Sequence, residues 1–346
     1  MKNYTIILIL LLSCLWGCSP TQKQISDLSG NWNLQLDPNN EGIQQQWYNK
    51  QLKNEIHLPG TTDEARYGEK TKGSDYGILT RVHKYVGPAW YQRQIDIPSQ
   101  WRGNNITLFL ERVLWESKIF VDGKEIGTQD ALGTPDIHEL GVLAPGMHQL
   151  TIRVDNSLIH NMGDKSHAYG EYTQTIWNGV VGKIQLWARN EVNIQQVRTF
   201  PNAAKKELTV EINLSKAPNS ASNIDINIYN SKDNSLVGQK QTPIQKQKQT
   251  ITVPIASEII PWDEFNPQLY RLEASLTEKN SNNKNTDHYQ TTFGFRDVTA
   301  TQSHILINQK PVFLRGNLDC VHFPLTGYPA MDIKEWKRIF SIYKDY

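Results

Sequence analysis

The chain has 346 residues, a formal net charge of +1 and an apolar fraction of 38%. This length allows two or three domains, and the apolar fraction is sufficient to build a core in each of them. The nearly neutral charge argues against a nucleic-acid or polyanion partner, because binding such a partner requires a basic surface.

The first residues predict an exported, lipid-anchored protein. A basic residue is followed by an apolar run that is too short to span a bilayer, which is typical of a bacterial secretory signal. The residues before Cys18 resemble a lipobox, so we assign residues 1–17 to a lipoprotein signal peptide, 18–27 to a polar tether and the lipid to Cys18. Cys14 is an alternative acceptor, and an ordinary signal peptide with incidental cysteines is a third interpretation. The expected location is the bacterial cell envelope, in the periplasm or at the outer membrane.

Residues 28–190 carry the pattern of a large antiparallel β domain. Apolar and polar side chains alternate through residues 106–110, and the segment 119–126 has a central Asp-Gly pair that predicts a hairpin. No helical period of comparable strength is present. A sandwich or jelly roll is therefore the expected way to bury one face of these strands.

Residues 191–298 predict a second β domain. Ile224, Ile226 and Ile228 alternate with polar residues, and similar strands precede and follow them at short, regular spacing. Two polar stretches, 239–249 and 278–287, are expected to be exposed loops. About a hundred residues with this pattern suit an immunoglobulin-like sandwich.

Residues 299–346 are the only part in which a strand is followed by a helix. A turn at residues 308–310 leads into the apolar run 311–314, which predicts a buried strand, and Asp332 with Glu335 three residues later predicts a helix start. The helix is expected to place four apolar side chains on one face, namely Ile333, Trp336, Phe340 and Tyr343. This pattern is half of a βαβ unit without its return strand. We therefore expect the start of a truncated parallel α/β domain, in which this helix face lacks its packing partners.

Five motifs, in this order, carry a family resemblance. They are YVGPAWYQR at 85–93, WNGVVG at 177–182, NPQLY at 266–270, FGFR at 293–296 and INQKPVFLRG at 307–316. Together they resemble glycoside hydrolase family 2 over nearly all of the mature chain. The resemblance implies a mainly β fold: a sugar-binding jelly-roll β-sandwich, an immunoglobulin-like β-sandwich, and the first strand and helix of an incomplete (β/α)8 barrel.

The same resemblance implies retaining hydrolysis of O-glycosyl bonds in β-linked glycans, in the β-galactosidase-like class. Such enzymes use two carboxyl groups about 5 Å apart, one as acid/base and one as nucleophile. In a barrel these groups stand at the carboxyl ends of strands, and in the family those strands lie well beyond the first one. No catalytic residue is therefore assigned in this sequence, which is expected to be inactive by itself, and no cofactor is implied.

Six residues are candidates for contact with the carbohydrate. They are Thr173, Gln174, Trp177, Asn178, Asp319 and His322. Hydroxyl and amide groups bond to sugar hydroxyls, and an indole face stacks on a sugar ring. The last two candidates follow the first barrel strand, where this fold places functional groups. The alternatives are a core position for the Trp, a simple turn at the Asn-Gly pair and a satisfied loop histidine.

Two departures from the family concern specificity. Thr173 stands where some members carry a substrate-contacting Asp. After the Arg-Gly of the barrel entry, where many members have an Asn and then a His, only His322, Pro324 and Gly327 stand in family-like places. Together these departures argue against β-galactosidase or β-glucuronidase specificity.

The remaining charged residues receive structural interpretations. Arg81 and His83 are expected on a surface loop, and Asp63 with Glu64 in a solvated loop. No histidine spacing indicates a metal site. Two other functions stay open beside the hydrolase: a non-catalytic carbohydrate-binding lipoprotein, and a purely structural surface module.

Overall fold

The computed structural model describes residues 24–163, 169–172, 174–278, 287–321 and 323–346. Within these ranges the chain divides into two compact units. The first unit contains residues 24–193, 263–266 and 296–346, and the second contains residues 194–262 and 267–295. The signal peptide and Cys18 lie outside the described residues. The domain boundaries given above stay predictions.

Most of the first unit is an antiparallel β-sandwich. Its strands are β1 (Gln24–Asp27), β2 (Gly30–Leu36), β3 (Asn54–Leu58), β4 (Gly60–Thr61), β5 (Glu69–Lys70), β6 (His83–Lys84), β7 (Pro88–Ile97), β8 (Asn105–Val113), β9 (Glu116–Val121), β10 (Lys124–Gln129), β11 (Asp136–Val142), β12 (Gly146–Asp155) and β13 (Gly179–Arg189). One sheet has the order β10-β9-β12-β7-β2-β3, and the other has the order β1-β13-β8-β11 with β4 paired to β13. The strands β5 and β6 form a separate two-stranded sheet. The mainly β fold class is thereby confirmed.

The core of this unit follows the alternation in the sequence. Ile106, Leu108 and Leu110 on β8 are completely buried, and they join one apolar cluster with Ile152 of β12 and Leu186 of β13. Because strands from both sheets contribute to one cluster, the two sheets pack face to face. The alternation therefore fixes which face of each strand is buried.

The predicted hairpin is confirmed. Strands β9 and β10 pair through the two-residue turn Asp122-Gly123, whose φ angles are 48° and 77°. Positive φ at both central positions is the geometry that matches the twist of a tight hairpin, and an Asp-Gly pair tolerates it.

The second unit consists of two antiparallel sheets. Its strands are β14 (Ile194–Asn202), β15 (Glu207–Leu214), β16 (Ser222–Asn230), β17 (Leu236–Ile244), β18 (Lys248–Pro254), β19 (Tyr270–Glu278) and β20 (Asp287–Phe293). The sheet orders are β14-β15-β18 and β17-β16-β19-β20. Ile224, Ile226 and Ile228 of β16 are buried, as their alternation predicted. Seven strands in two sheets are consistent with an immunoglobulin-like sandwich.

One loop prediction in this unit is wrong. Most of the stretch 239–249 belongs to strands β17 and β18, which hold it in the two sheets. Strand β17 stands at the edge of its sheet, and its residues Gln239, Lys240 and Gln241 are exposed. Polar residues are typical of edge strands, where they discourage pairing with other chains. The other predicted loop lies mostly outside the described residues.

The last segment of the first unit differs from the prediction in its strand. Strands β21 (Val298–Ala300), β22 (Ile305–Ile307) and β23 (Lys310–Val312) form a small antiparallel sheet. Phe313 and Leu314 are 86% and 67% exposed, so the predicted buried strand is wrong for this chain. A buried strand needs packed layers on both faces, and the described residues supply none here. The barrel start stays a prediction.

The helix prediction is confirmed. Helix α1 spans Ile333–Asp345, and the carboxylate of Asp332 caps it by accepting a hydrogen bond of 2.8 Å from the backbone N–H of Glu335. None of its residues is buried, and Ile333 and Phe340 are 74% and 55% exposed. Ile333 and Phe340 therefore lack packing partners among the described residues outside the helix, as expected. Trp336 differs from the expectation, because it is half-buried and its ring lies 5.8 Å from that of Phe323. No helix in the described part of the chain has the length and apolar character needed to cross a membrane.

Candidate functional site

The loop between β12 and β13, which we call the site loop, contacts the segment before α1. The side-chain amide of Gln174 donates a hydrogen bond to the carbonyl of Val321. The hydroxyl of Thr175 donates to the carbonyl of Gly327 at 3.0 Å. This approach requires glycine, because a Cβ at Gly327 would lie 2.4 Å from the Thr175 hydroxyl. Gln174 thus contacts Val321, which follows another predicted site residue, Asp319, by two positions in the sequence.

The segment before α1 contains the candidates Asp319 and His322, of which the structure describes only Asp319. The carboxylate of Asp319 is exposed and accepts a hydrogen bond of 2.7 Å from the N–H of Val321, so it caps a local turn. His322 and Thr173 lie outside the described residues. Contact of all three with a sugar stays a prediction.

Trp177 takes the core position that was the alternative for it. It is 2% exposed and packs with Leu114, Trp115 and Val181, while the ring of Tyr328 lies 5.9 Å from its own. The indole therefore supports the wall of the site, and its contact with a sugar stays a prediction.

Asn178 is the last residue of the site loop before β13, and it is completely buried. Its side-chain oxygen accepts a hydrogen bond of 2.7 Å from the hydroxyl of Tyr91, and its amide donates to the carbonyl of Gly87 at 2.8 Å. Burial raises the pKa of the Tyr91 phenol well above its ordinary value, so this hydroxyl stays a hydrogen-bond donor. Both the oxygen and the nitrogen of the Asn178 side chain are therefore paired within the protein, and these hydrogen bonds hold the site loop on the sandwich.

Arg81 and Asp63 form an ion pair inside the first unit, contrary to the surface-loop interpretation. Arg81 is 4% exposed, and its guanidinium donates to the Asp63 carboxylate at 2.6 and 2.8 Å. It also donates to the carbonyl of Tyr85 at 3.1 Å. A bidentate ion pair of this kind is both strong and specific in orientation. The two residues are 18 positions apart, and no local pattern in the sequence predicts that they pair.

Glu64 connects the sandwich to the segment before α1. Its carboxylate accepts hydrogen bonds from the Thr61 backbone at 3.2 Å and from the Tyr328 hydroxyl at 3.0 Å. Burial, together with the nearby Glu64 charge, raises the pKa of the Tyr328 phenol. The solvated-loop interpretation is therefore wrong for Asp63, whose side chain is 14% exposed, whereas Glu64 lies exposed in a turn, as predicted.

Two cavities adjoin the site loop. The polar cavity, of about 270 Å³, is lined by Asp63, Arg81, His83, Thr175 and Thr326 among others. The aromatic groove has the same volume, about 270 Å³, and its lining includes Trp115, His160, Tyr169, Glu171 and Tyr172. Aromatic faces beside carboxylate, amide and hydroxyl groups have the chemistry of sugar recognition.

These features define a class of protein. The polar and aromatic cavities at the loop that leads into β13 give the first unit the features of a ligand-binding protein, with side chains of the kinds that contact sugars.

Comparison with known proteins identifies the family. The family model "Glycosyl hydrolases family 2, sugar binding domain" matches residues 25–158, and the model "Glycosyl hydrolases family 2" matches residues 192–296. The chain belongs to glycoside hydrolase family 2, of which it holds an N-terminal portion.

Similar proteins include a β-glucuronidase from Paenibacillus borealis, which is 23% identical over 313 residues, covering 85% of this chain and 49% of that protein. A β-galactosidase from Thermoanaerobacterium thermosulfurigenes is 22% identical over 317 residues, covering 88% of this chain and 42% of that protein. The chain therefore spans about half the length of the relatives it matches.

The fold is shared with a solved structure, a β-glucuronidase from Ruminococcus gnavus in complex with D-glucuronic acid. The TM-score is 0.73 at 18% sequence identity, with 95% of this chain and 56% of that one covered. At this identity the likeness concerns the fold alone.

Proposed function

We propose that this chain is the N-terminal part of an exported, retaining glycoside hydrolase that cleaves O-glycosyl bonds of β-linked glycans. The observation that carries the proposal is the family match over both β regions, with β-glucuronidases and a β-galactosidase among the relatives. In this proposal the acid/base and the nucleophile belong to the part of the relatives' length that this chain does not span. We therefore expect the 346-residue chain to lack hydrolase activity.

The contacts of the site loop support a role for the sandwich beside a catalytic barrel. Gln174 and Thr175 attach the loop to the segment that precedes α1, which the resemblance assigns to the barrel entry. Loops at the carboxyl ends of barrel strands build the active site of such enzymes. In the proposed function, the sandwich brings the aromatic groove and the polar cavity to the edge of that active site.

An activity comparison tests the proposal. The 346-residue protein and a protein extended by the downstream coding sequence are assayed side by side on a panel of aryl β-glycosides. We expect turnover only from the extended protein, with retention of configuration at the anomeric carbon. Substantial turnover by the 346-residue protein alone would refute the assignment of the catalytic groups to sequence beyond it.

Lipid anchoring at Cys18 is part of the same proposal. The lipobox-like residues before it and the polar tether after it support this acceptor. Expression in a bacterial host with labelled palmitate should label the wild-type protein and the Cys14→Ser variant, and should fail to label the Cys18→Ser variant. Label that persists in Cys18→Ser and disappears in Cys14→Ser would move the anchor to the alternative residue.

A second candidate, a non-catalytic carbohydrate-binding lipoprotein, is favoured by one observation. The first unit has its own apolar core, formed by residues of this chain. We therefore expect this unit to fold by itself. Glycan binding by the 346-residue protein, with an extended protein that never shows hydrolysis, is the outcome that selects this candidate.

A further inference from the structure

Two residues that line the polar cavity each have a buried side-chain nitrogen atom without a hydrogen-bond partner. These atoms are Nη1 of Arg81 and Nδ1 of His83, and neither finds an acceptor or donor in the described part of the chain. The Arg81 side chain is 2% exposed, and its Nη1 forms an ion pair with a carboxylate oxygen of Glu171 at 3.7 Å, which is too long for a hydrogen bond. Buried polar groups are normally paired, so these two atoms mark a place where ligand atoms are expected.

The cavity is accessible and small. Val82 and Leu325 stand at its rim and are 66% and 97% exposed. Its volume of about 270 Å³ lies just below the lower end, roughly 300 Å³, of pockets that hold drug-sized ligands. A single sugar ring, rather than a longer chain, matches this space.

The charges around the cavity select the kind of sugar. Asp63 and Glu64 line it and Glu171 borders it, whereas the lining cations of fixed charge are Arg81 and Arg66. The Arg81 charge is already balanced by Asp63. A carboxylate ligand would therefore meet an excess of negative charge, and like charges at short range are unfavourable.

We propose that the polar cavity is a subsite for a neutral monosaccharide unit, bound through neighbouring hydroxyl groups. The guanidinium of Arg81 donates to one hydroxyl oxygen, and the free nitrogen of His83 pairs with a second hydroxyl. The oxygen atoms of Thr175 and Thr326 already donate their protons to backbone carbonyls, so they are left to accept hydrogen bonds from the ligand. The proposal rests on the carbohydrate-binding part of the proposed function and adds a location and a sugar class.

Titration of the full 346-residue chain with single sugars tests the proposal. Binding of D-glucose, D-galactose, D-mannose and D-xylose, and of D-glucuronate and D-galacturonate, is measured by calorimetry and by saturation-transfer NMR. We expect at least one neutral sugar to bind, and the uronates to bind at least tenfold more weakly.

Two variants place the binding in this cavity. Val82→Trp fills the entrance from an exposed position, and His83→Phe removes the unpaired nitrogen while keeping a ring of similar shape. Both should weaken binding of the neutral sugar at least tenfold without changing the thermal midpoint by more than a few degrees. The matched control is Val142→Trp, because Val142 is 61% exposed and lies outside the cavity; its affinity should equal that of the wild type.

The outcomes separate this inference from the proposed function. Neutral-sugar binding that both variants leave unchanged overturns the subsite while sugar binding itself stands. Uronates that bind as tightly as the neutral sugars overturn the charge argument. Absence of any sugar binding overturns the subsite and the non-catalytic candidate, whereas the hydrolase proposal is still decided separately by the extended protein.

Discussion

A buried cluster of Ser117, Asp136 and His138 leads to a prediction about pH. All three are at most 3% exposed, and the Ser117 hydroxyl lies 2.5 Å from an Asp136 oxygen and 2.8 Å from Nε2 of His138. Burial raises the pKa of Asp136 from 3.8 to about 6, and burial lowers the pKa of His138 from 6.5 to about 4. The two shifts have opposite effects on stability.

Each shift taken alone gives a slope of known sign. The folded state keeps a proton on Asp136 that the unfolded chain has lost, so stability falls as pH rises from 3.8 to about 6. The unfolded chain keeps a proton on His138 that the folded state has lost, so stability falls as pH decreases from 6.5 to about 4. Each slope is about 1.4 kcal/mol per pH unit, which amounts to about 3 kcal/mol over each window.

Together the two slopes cancel. Between about pH 4 and pH 6 the folded pair holds one proton and the unfolded pair also holds one, whichever partner carries it. We therefore expect the wild-type pair to contribute no pH dependence there. Asp136→Asn should reveal the rising slope of the histidine, and His138→Gln should reveal the falling slope of the carboxyl group. The double variant should return to the wild-type slope.

Urea unfolding at half-unit pH intervals measures these slopes. Tryptophan fluorescence follows mainly the first unit, because only Trp262 of the described tryptophans lies in the second unit. All other titrating groups are common to the four proteins and cancel in the differences. Single variants that share the wild-type slope, or that both deviate with the same sign, would refute the reasoning.

Three further predictions concern stability. Asn178→Ala should lower the free energy of unfolding by about 3 kcal/mol, because it leaves buried partners unpaired, whereas Ala at the exposed Asn219 should have little effect; denaturant titration compares them. Gly123→Ala should cost about 1–2 kcal/mol because φ is 77° there, whereas Gly127→Ala, with open space around the new methyl group, should change thermal stability little. The amides of α1 should exchange with solvent far faster than those of β8, because none of its side chains is buried; strong protection of α1 would contradict the expectation of an exposed helix.

The β architecture could be predicted from the sequence because its signal is local. The period-two alternation at Ile106, Leu108 and Leu110 states which face each side chain takes, and the Asp-Gly pair states where the hairpin turns. These patterns act within a few residues. The sequence does not predict edge strand β17 for the same reason, because its exposed polar residues at 239–241 carry the local pattern of a loop.

The candidate site could be predicted only in outline. The resemblance indicated Gln174 and the segment around Asp319, and the structure brings them together through the Val321 carbonyl. The sequence predicts a surface position for Arg81 because its neighbours are polar and rich in glycine. Its burial depends on Asp63, a partner 18 residues away, and a long-range ion pair leaves no trace in local composition.

Two independent observations bear on which sugar the complete enzyme would accept. Thr173 stands where some members of the family carry a substrate-contacting Asp. At the polar cavity the carboxylates of Asp63, Glu64 and the bordering Glu171 outnumber the arginines Arg81 and Arg66. The first observation is the loss of a substrate contact and says nothing about the charge of the sugar. The second disfavours a uronic acid, whose carboxylate is normally bound by basic groups. Relatives named as β-glucuronidases therefore supply the fold more securely than the substrate, and we infer that neutral aryl β-glycosides are the first substrates to test on the extended protein.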